Sequence, residues 1–207
     1  MITTKNLRKL AESGDTEAQF RFAYRLAFGR SHLVDWQVAF KWWHLAAKTG
    51  HVRAQFYIGV CHDFGHGVER DLKQAIVWYR KAARGGHAEA QHNLAFCYRE
   101  GEGVRKNYRQ MLFWLSKAAS ADDAEAQRDL GFCYHEGLGI EVDFRESVRW
   151  YRKAARAGDA MAQYNLGLSY LAGDGVVVSP ARARAWLRKA AQQGHDAAKS
   201  QLEQTVA

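Results

Sequence analysis

Apolar and polar positions along the chain recur at helical spacing and fall into pairs of short blocks separated by glycines and capping residues. In the first block of a pair, an Ala-Gln step is followed three, four and seven residues later by small or apolar positions. Leu94, Ala95 and Tyr98 follow Gln91, and Leu130, Gly131 and Tyr134 follow Gln127. These blocks begin after Asp15, His51, His87, Asp123 or Asp159, with aspartate the better N-cap and histidine the weaker. Most stop at a glycine-rich turn: Gly65-His66-Gly67, Gly101-Glu102-Gly103, Gly137-Leu138-Gly139 and Gly173-Asp174-Gly175. The second blocks begin after Asp35, Asp71, Asn107, Asp143 or Ser179. They close at Gly50, Gly86, Gly158 or Gly194, with Asp122 as the one substitute. Pro180, the only proline, falls at the first turn of its helix, where no backbone N–H is needed. No stretch shows the two-residue alternation of a strand. The pattern predicts an all-α chain of helix-turn-helix units.

The units repeat with a period of 36. Gln19, Gln55, Gln91, Gln127 and Gln163 coincide, as do Trp42, Trp78, Trp114, Trp150 and Trp186. So do the pairs Ala46-Ala47, Ala82-Ala83, Ala118-Ala119, Ala154-Ala155 and Ala190-Ala191. Five units result, at 15–50, 51–86, 87–122, 123–158 and 159–194, with residues 1–14 and 195–207 expected to be capping helices. The recurrent tryptophan is expected to fill a core gap, and the alanine pair to admit the next layer. Gly59, Gly131 and Gly167 are expected to let a neighbouring helix approach closely. Trp36, outside the period, is expected to be peripheral.

The stretch Ala90-Gln91-His92-Asn93-Leu94-Ala95-Phe96-Cys97-Tyr98, then Gly101-Glu102-Gly103-Val104 and Trp114-Leu115-Ser116-Lys117-Ala118-Ala119, resembles a Sel1-like repeat. Ala162-Gln163-Tyr164-Asn165-Leu166-Gly167 with Trp186-Leu187-Arg188-Lys189-Ala190-Ala191 does so again. The first unit departs most, with Gly29-Arg30-Ser31 in place of the Gly-x-Gly turn and Leu45 in place of lysine. The resemblance implies a right-handed α/α superhelical solenoid related to tetratricopeptide arrays, with the first helices on its concave side. It also implies adaptor work, in signalling complexes or in neutralising bacterial effectors. Fold alone does not choose among these.

Composition narrows the function classes further. Apolar residues make up 47% and charged residues 25%, which suits a folded chain, and no run of apolar residues is long enough to span a membrane. The first residues lack the apolar core of a secretory signal. The net charge of +8 raises nucleic-acid binding through the Arg-rich second helices as an alternative function. Those arginines are interleaved with apolar positions, however, and read as solvated helix faces.

Cys61, Cys97 and Cys133 share one helical phase, 36 residues apart. Stacked helices lie about 8–10 Å apart, too far for a disulfide, which needs Cα atoms within about 7 Å. Buried or half-buried thiols near the groove wall, in a cytoplasmic protein, are the expectation. His62 and His66 stand four apart, but a glycine interrupts them and no third ligand recurs, so no metal or other cofactor is expected. No nucleophile elbow, P-loop or dinucleotide fingerprint occurs, and the protein is expected not to be an enzyme.

The positions that vary between units while keeping one helical face lie two, five and nine residues after each glutamine. They comprise Tyr24 and Phe28; Tyr57, Val60 and Phe64; Asn93, Phe96 and Glu100; Asp129, Phe132 and Glu136; and Asn165 and Leu168. Arg21 and Ala172 complete the set. This aromatic-aliphatic strip, edged by amides and acids, is the candidate groove for a peptide segment or helix of a partner protein.

Overall fold

The computed structural model describes residues 3–29 and 34–204, which form twelve helices with no strand among them. They fall into two compact units, residues 1–107 and 108–207. The first holds α1 (Thr4–Glu12), α2 (Thr16–Phe28), α3 (Trp36–Lys48), α4 (Val52–Phe64), α5 (Leu72–Arg84) and α6 (Ala88–Glu100). The second holds α7 (Tyr108–Ser120), α8 (Ala124–Glu136), α9 (Phe144–Arg156), α10 (Ala160–Ala172), α11 (Pro180–Gln192) and α12 (Asp196–Gln204). The chain is an all-α solenoid of helix-turn-helix repeats.

The capping chemistry sets the helix lengths. Asp15, Asp123 and Asp159 accept from the backbone N–H three residues on at 2.7, 2.8 and 2.6 Å. His51 and His87 do so through Nδ1 at 3.1 and 3.4 Å, the longer bonds of a weaker cap. Gly65, Gly101, Gly137 and Gly173 end the first helices in the left-handed region. Asp122, at φ 60°, is the one non-glycine residue with positive φ among the described residues, and it stands where the other units place glycine. Helix α2 ends differently, with Gly29 extended at φ −67°. The expected departure at Arg30 and Ser31 lies outside the described residues.

The recurrent glutamine and alanine pair turn out to be one device. Each glutamine Nε2 donates to the carbonyl of a residue at the end of the preceding helix. Gln19 reaches Ala11, Gln55 Ala47, Gln91 Ala83, Gln127 Ala119 and Gln163 Ala155, at 3.0–3.3 Å. Ala11, Ala47, Ala83 and Ala155 also accept from the glycine N–H three residues on, so at these helix ends, beyond the regular ladder, the amide adds a second bond that ties one helix to the next. The alanine pairs beneath are almost wholly buried, apart from the partly buried Ala191.

The expected close approaches occur. A Cβ on Gly59 would stand 2.5 Å from the Tyr79 ring, on Gly131 2.7 Å from the Tyr151 ring, and on Gly167 2.8 Å from Leu187. What fills the core is corrected, however. The fully enclosed position is the residue after each recurrent tryptophan: Trp43, Tyr79, Leu115, Tyr151 and Leu187. Trp42, Trp78, Trp150 and Trp186 are only half-buried, and Trp114 is the exception. Lysines one turn on lie over Trp78, Trp150 and Trp186, 3.9, 4.1 and 4.5 Å from the ring centroids. Periodicity marks a recurrent residue without saying which side of it faces inward; these tryptophans straddle core and surface, with the lysine stem as cover.

Trp36 is corrected too. It opens α3, stacks on His66 at 4.4 Å and meets Phe28 edge-on at 5.1 Å, against the core of the first unit.

Candidate functional site

The candidate strip lies on the first helices of the repeats, and none of its thirteen residues is buried. The two units present it differently.

In the first unit the strip is aromatic and packed on itself. Tyr24 lies 4.8 Å from Phe28, and Tyr57 lies 5.8 Å from both, between ring centroids. Tyr57 also stacks on Trp43 at 4.7 Å, which ties the surface rings to the core. Burial, followed by the neighbouring Tyr24, pushes the pKa of the Tyr57 hydroxyl up. Val60 is half-buried, and Phe64, 65% exposed, lies beside His66. Asn93 sits by the Tyr79 hydroxyl, which donates to Asp63 Oδ2 at 3.0 Å. Desolvation and the Asp63 carboxylate raise the pKa of that hydroxyl. Phe96 is exposed, but the Arg99 guanidinium lies 5.0 Å from its ring centroid, and Arg99 Nε donates to Glu100 at 2.6 Å.

In the second unit part of the strip opens into a hollow of about 380 Å³ between α8 and α10. Phe132, Glu136, Asn165 and Leu168 meet there, with Ala172, and Tyr151 forms a wall. Burial, with the Glu136 charge adding to it, pushes the Tyr151 hydroxyl up to about 12. Asp129 stands outside the hollow and is engaged by Arg128 at 2.8 Å, which also reaches Asp159 at 3.2 Å. Burial opposes the Arg128 charge, but these carboxylates outweigh it and hold its pKa above the ordinary value. Asp129 is thus paired within the protein.

Sequence reasoning missed Asp63, Tyr79, Arg99, His135, Tyr151 and Asp174 as participants. Tyr79 and Tyr151 carried a usable signal, since each follows a recurrent tryptophan and faces a helical glycine.

The other candidate chemistry resolves into packing. Cys61, Cys97 and Cys133 are buried and form no disulfide, so they lie inside the helical layers and not at the groove wall. Desolvation pushes the thiols of Cys61 and Cys97 up to about 12. His62 meets Phe40 edge-on, and His66 stacks on Trp36. Among the described residues no group of three or more His, Cys, Asp or Glu side chains is placed to hold a metal ion. No described helix is long and apolar enough to cross a membrane. A larger hollow, about 720 Å³, opens around the start of α5 and contains none of the strip residues.

The Sel1 repeat model matches residues 16–51, 52–87, 88–123, 124–159 and 160–195, and the chain belongs to the Sel1 repeat family. A Sel1 repeat protein from Oxalobacter formigenes is 33% identical, with a TM-score of 0.90 over 97% of this chain and 58% of that one. A protective antigen present in uropathogenic Escherichia coli strains, with the same repeat fold, is 30% identical, with a TM-score of 0.62 over 100% of this chain and 53% of that one. The chain thus spans little more than half the length of either protein. An immunity protein from Pseudomonas aeruginosa, 22% identical with a TM-score of 0.55 over 88% of this chain and 67% of that one, shares the fold. A search of curated proteins finds no match. A general scaffold role in contacts between proteins is typical of the Sel1 repeat family.

Proposed function

We propose that this Sel1-repeat chain is a non-enzymatic adaptor that binds a segment of a partner protein along the first-helix strip. One observation carries the reading: large apolar side chains recur on one helical face at solvent-accessible positions, beside polar groups, in both units. Exposed aromatics of this kind are the residues that dominate binding energy at protein interfaces. Three cysteines that are buried and unlinked suit a reducing, cytoplasmic setting. Capture of a toxic effector is one form such binding would take, and a partner recovered from the native host identifies it.

The test compares Phe96→Ala/Phe132→Ala with Arg149→Ala/Arg156→Ala on the second helix α9, each checked for helicity. With about 2 kcal/mol or more lost per central aromatic, partner affinity should fall at least about a hundredfold in the first variant. The arginine variant should lose far less, mainly in salt dependence. Normal binding by the folded aromatic variant together with loss in the arginine variant would overturn the strip and favour a basic-face contact, nucleic acid included.

A further inference from the structure

The repeats contain the same five-residue segment twice with one difference. Phe96-Cys97-Tyr98-Arg99-Glu100 closes α6, and Phe132-Cys133-Tyr134-His135-Glu136 closes α8. In the first unit the segment satisfies itself. The Arg99 guanidinium lies over the Phe96 ring and donates to Glu100. In the second unit the arginine is replaced by His135, whose shorter side chain stands between two acids. Its Nδ1 is 2.9 Å from Glu136 Oε1, and its Nε2 is 3.7 Å from Asp174 Oδ2. A neutral imidazole carries one N–H, so it serves one of these carboxylates at a time.

Among the described residues no lysine or arginine pairs with Glu136 or Asp174, and no cation lies over Phe132, which is 42% exposed. The surroundings are a built cavity, not a flat acidic patch. Tyr151 (2% exposed), Leu168 and Ala172 line it with Asn165 and Ser169; Phe132 lies at one side, and among the described residues that line it Glu136 and Asp174 are the carboxylates and no lysine or arginine is present. An aromatic face, apolar walls and two acids are complementary to one kind of side chain. A guanidinium stacks on the ring through its plane and donates from its edges in more than one direction, whereas an ammonium is a point charge.

We propose that the hollow between α8 and α10 receives an arginine side chain of the partner protein, in the arrangement that Arg99 supplies internally in the first unit. This rests on the adaptor reading above and specifies the partner: its bound segment carries an arginine that enters between Glu136 and Asp174 and stacks on Phe132. The second unit is then a reader of a basic residue on a chain that is itself basic overall.

The test needs no identified partner. N-acetyl-arginine amide is titrated into the ¹⁵N-labelled full chain and followed by amide chemical shifts, with N-acetyl-citrulline amide and N-acetyl-lysine amide as comparisons. The expected result is saturable shifts confined to α8, α10 and the Asp174 turn. Citrulline, lacking the charge, should bind at least about tenfold more weakly, as should arginine on Glu136→Gln/Asp174→Asn. His135→Arg, which restores the arginine of the first unit, should fill the hollow from within and abolish the site while leaving the spectrum folded. Equal binding of lysine, diffuse shifts over other acidic surface, or unchanged binding in His135→Arg would each overturn the arginine assignment. The adaptor reading stands or falls separately, on the Phe96→Ala/Phe132→Ala comparison.

Discussion

The two units are built from one repeat and spend it differently. In residues 1–107 the variable face of the first helices is filled with rings that touch each other: Tyr24, Phe28 and Tyr57 form a connected cluster resting on Trp43. Acids near the strip there have partners within the unit, Asp63 on the Tyr79 hydroxyl and Glu100 on Arg99. In residues 108–207 the same face carries fewer rings, opens into a hollow, and leaves Glu136 and Asp174 with one shared histidine. Charge divides in the same sense, with 17 Lys and Arg against 10 Asp and Glu in residues 1–107, and 13 against 12 in 108–207. The lesson is that a repeat's framework and its variable face are separable. The glutamine-to-carbonyl bonds and glycine contacts recur in both units, while the strip is largely packed on itself in one and opens into a hollow in the other.

The largest effect that would sharpen this contrast is on stability. Trp43→Ala removes a wholly buried ring on which Tyr57 and the surface cluster rest, and should cost about 3–5 kcal/mol in denaturant titrations. Trp42→Ala, one residue away but half-buried, should cost clearly less. Equal costs would mean that the recurrent tryptophan is the core residue after all. Trp36→Ala should also lower the midpoint, through the lost His66 and Phe28 contacts.

A smaller effect should appear in alkali. The thiols of Cys61 and Cys97 are pushed up from the ordinary 9.0 to about 12 when folded. Above pH 9 the unfolded chain loses these protons first, so the folded state binds more protons and stability falls as pH rises. Between pH 8 and pH 10 the loss should be about 1 kcal/mol per thiol, and below pH 8 the thiols should contribute no slope. Cys61→Ala/Cys97→Ala should flatten the alkaline limb measured by urea titration. An unchanged limb would show the decline to come from other groups, such as the buried tyrosines.

Smaller still is the lysine cover. Lys153→Ala, which bares the Trp150 ring, should cost about 0.5–1 kcal/mol. Leu45, the residue at the same phase in the first repeat, already lacks this charge, so Leu45→Lys should be neutral or slightly stabilising. Reductant should not move the melting temperature, because no disulfide links the cysteines. A clear drop would contradict their assignment as buried thiols.

Much of this architecture was readable beforehand. Caps and glycine turns act through local backbone geometry, so Asp15, Gly65 and Pro180 announced their helix ends without tertiary information. The 36-residue period then required the stacking. Two things were not readable. Neighbouring residues on a helix differ by only about 100° in direction, so the pattern alone did not tell Trp42 from Trp43 as the buried one. Nor did it show which strip residues were already engaged, because the Arg99–Phe96 stack and the Arg128–Asp129 pair depend on side-chain reach, not on helical phase. The period did hold the needed hint in the exchange of Arg99 for His135, a single difference between two otherwise identical segments.

On the proposed function the first-helix face, and not the second helices, receives the partner. A photo-crosslinking residue placed at Phe132 in one sample and at Phe113 of α7 in another tests it most directly in the native host. Both positions are exposed aromatics of the second unit, at 42% and 48%, one on each class of helix. The expected result is a discrete crosslinked protein from position 132, lost in the His135→Arg background, and none from position 113. A discrete adduct from position 113 with none from position 132 would contradict it.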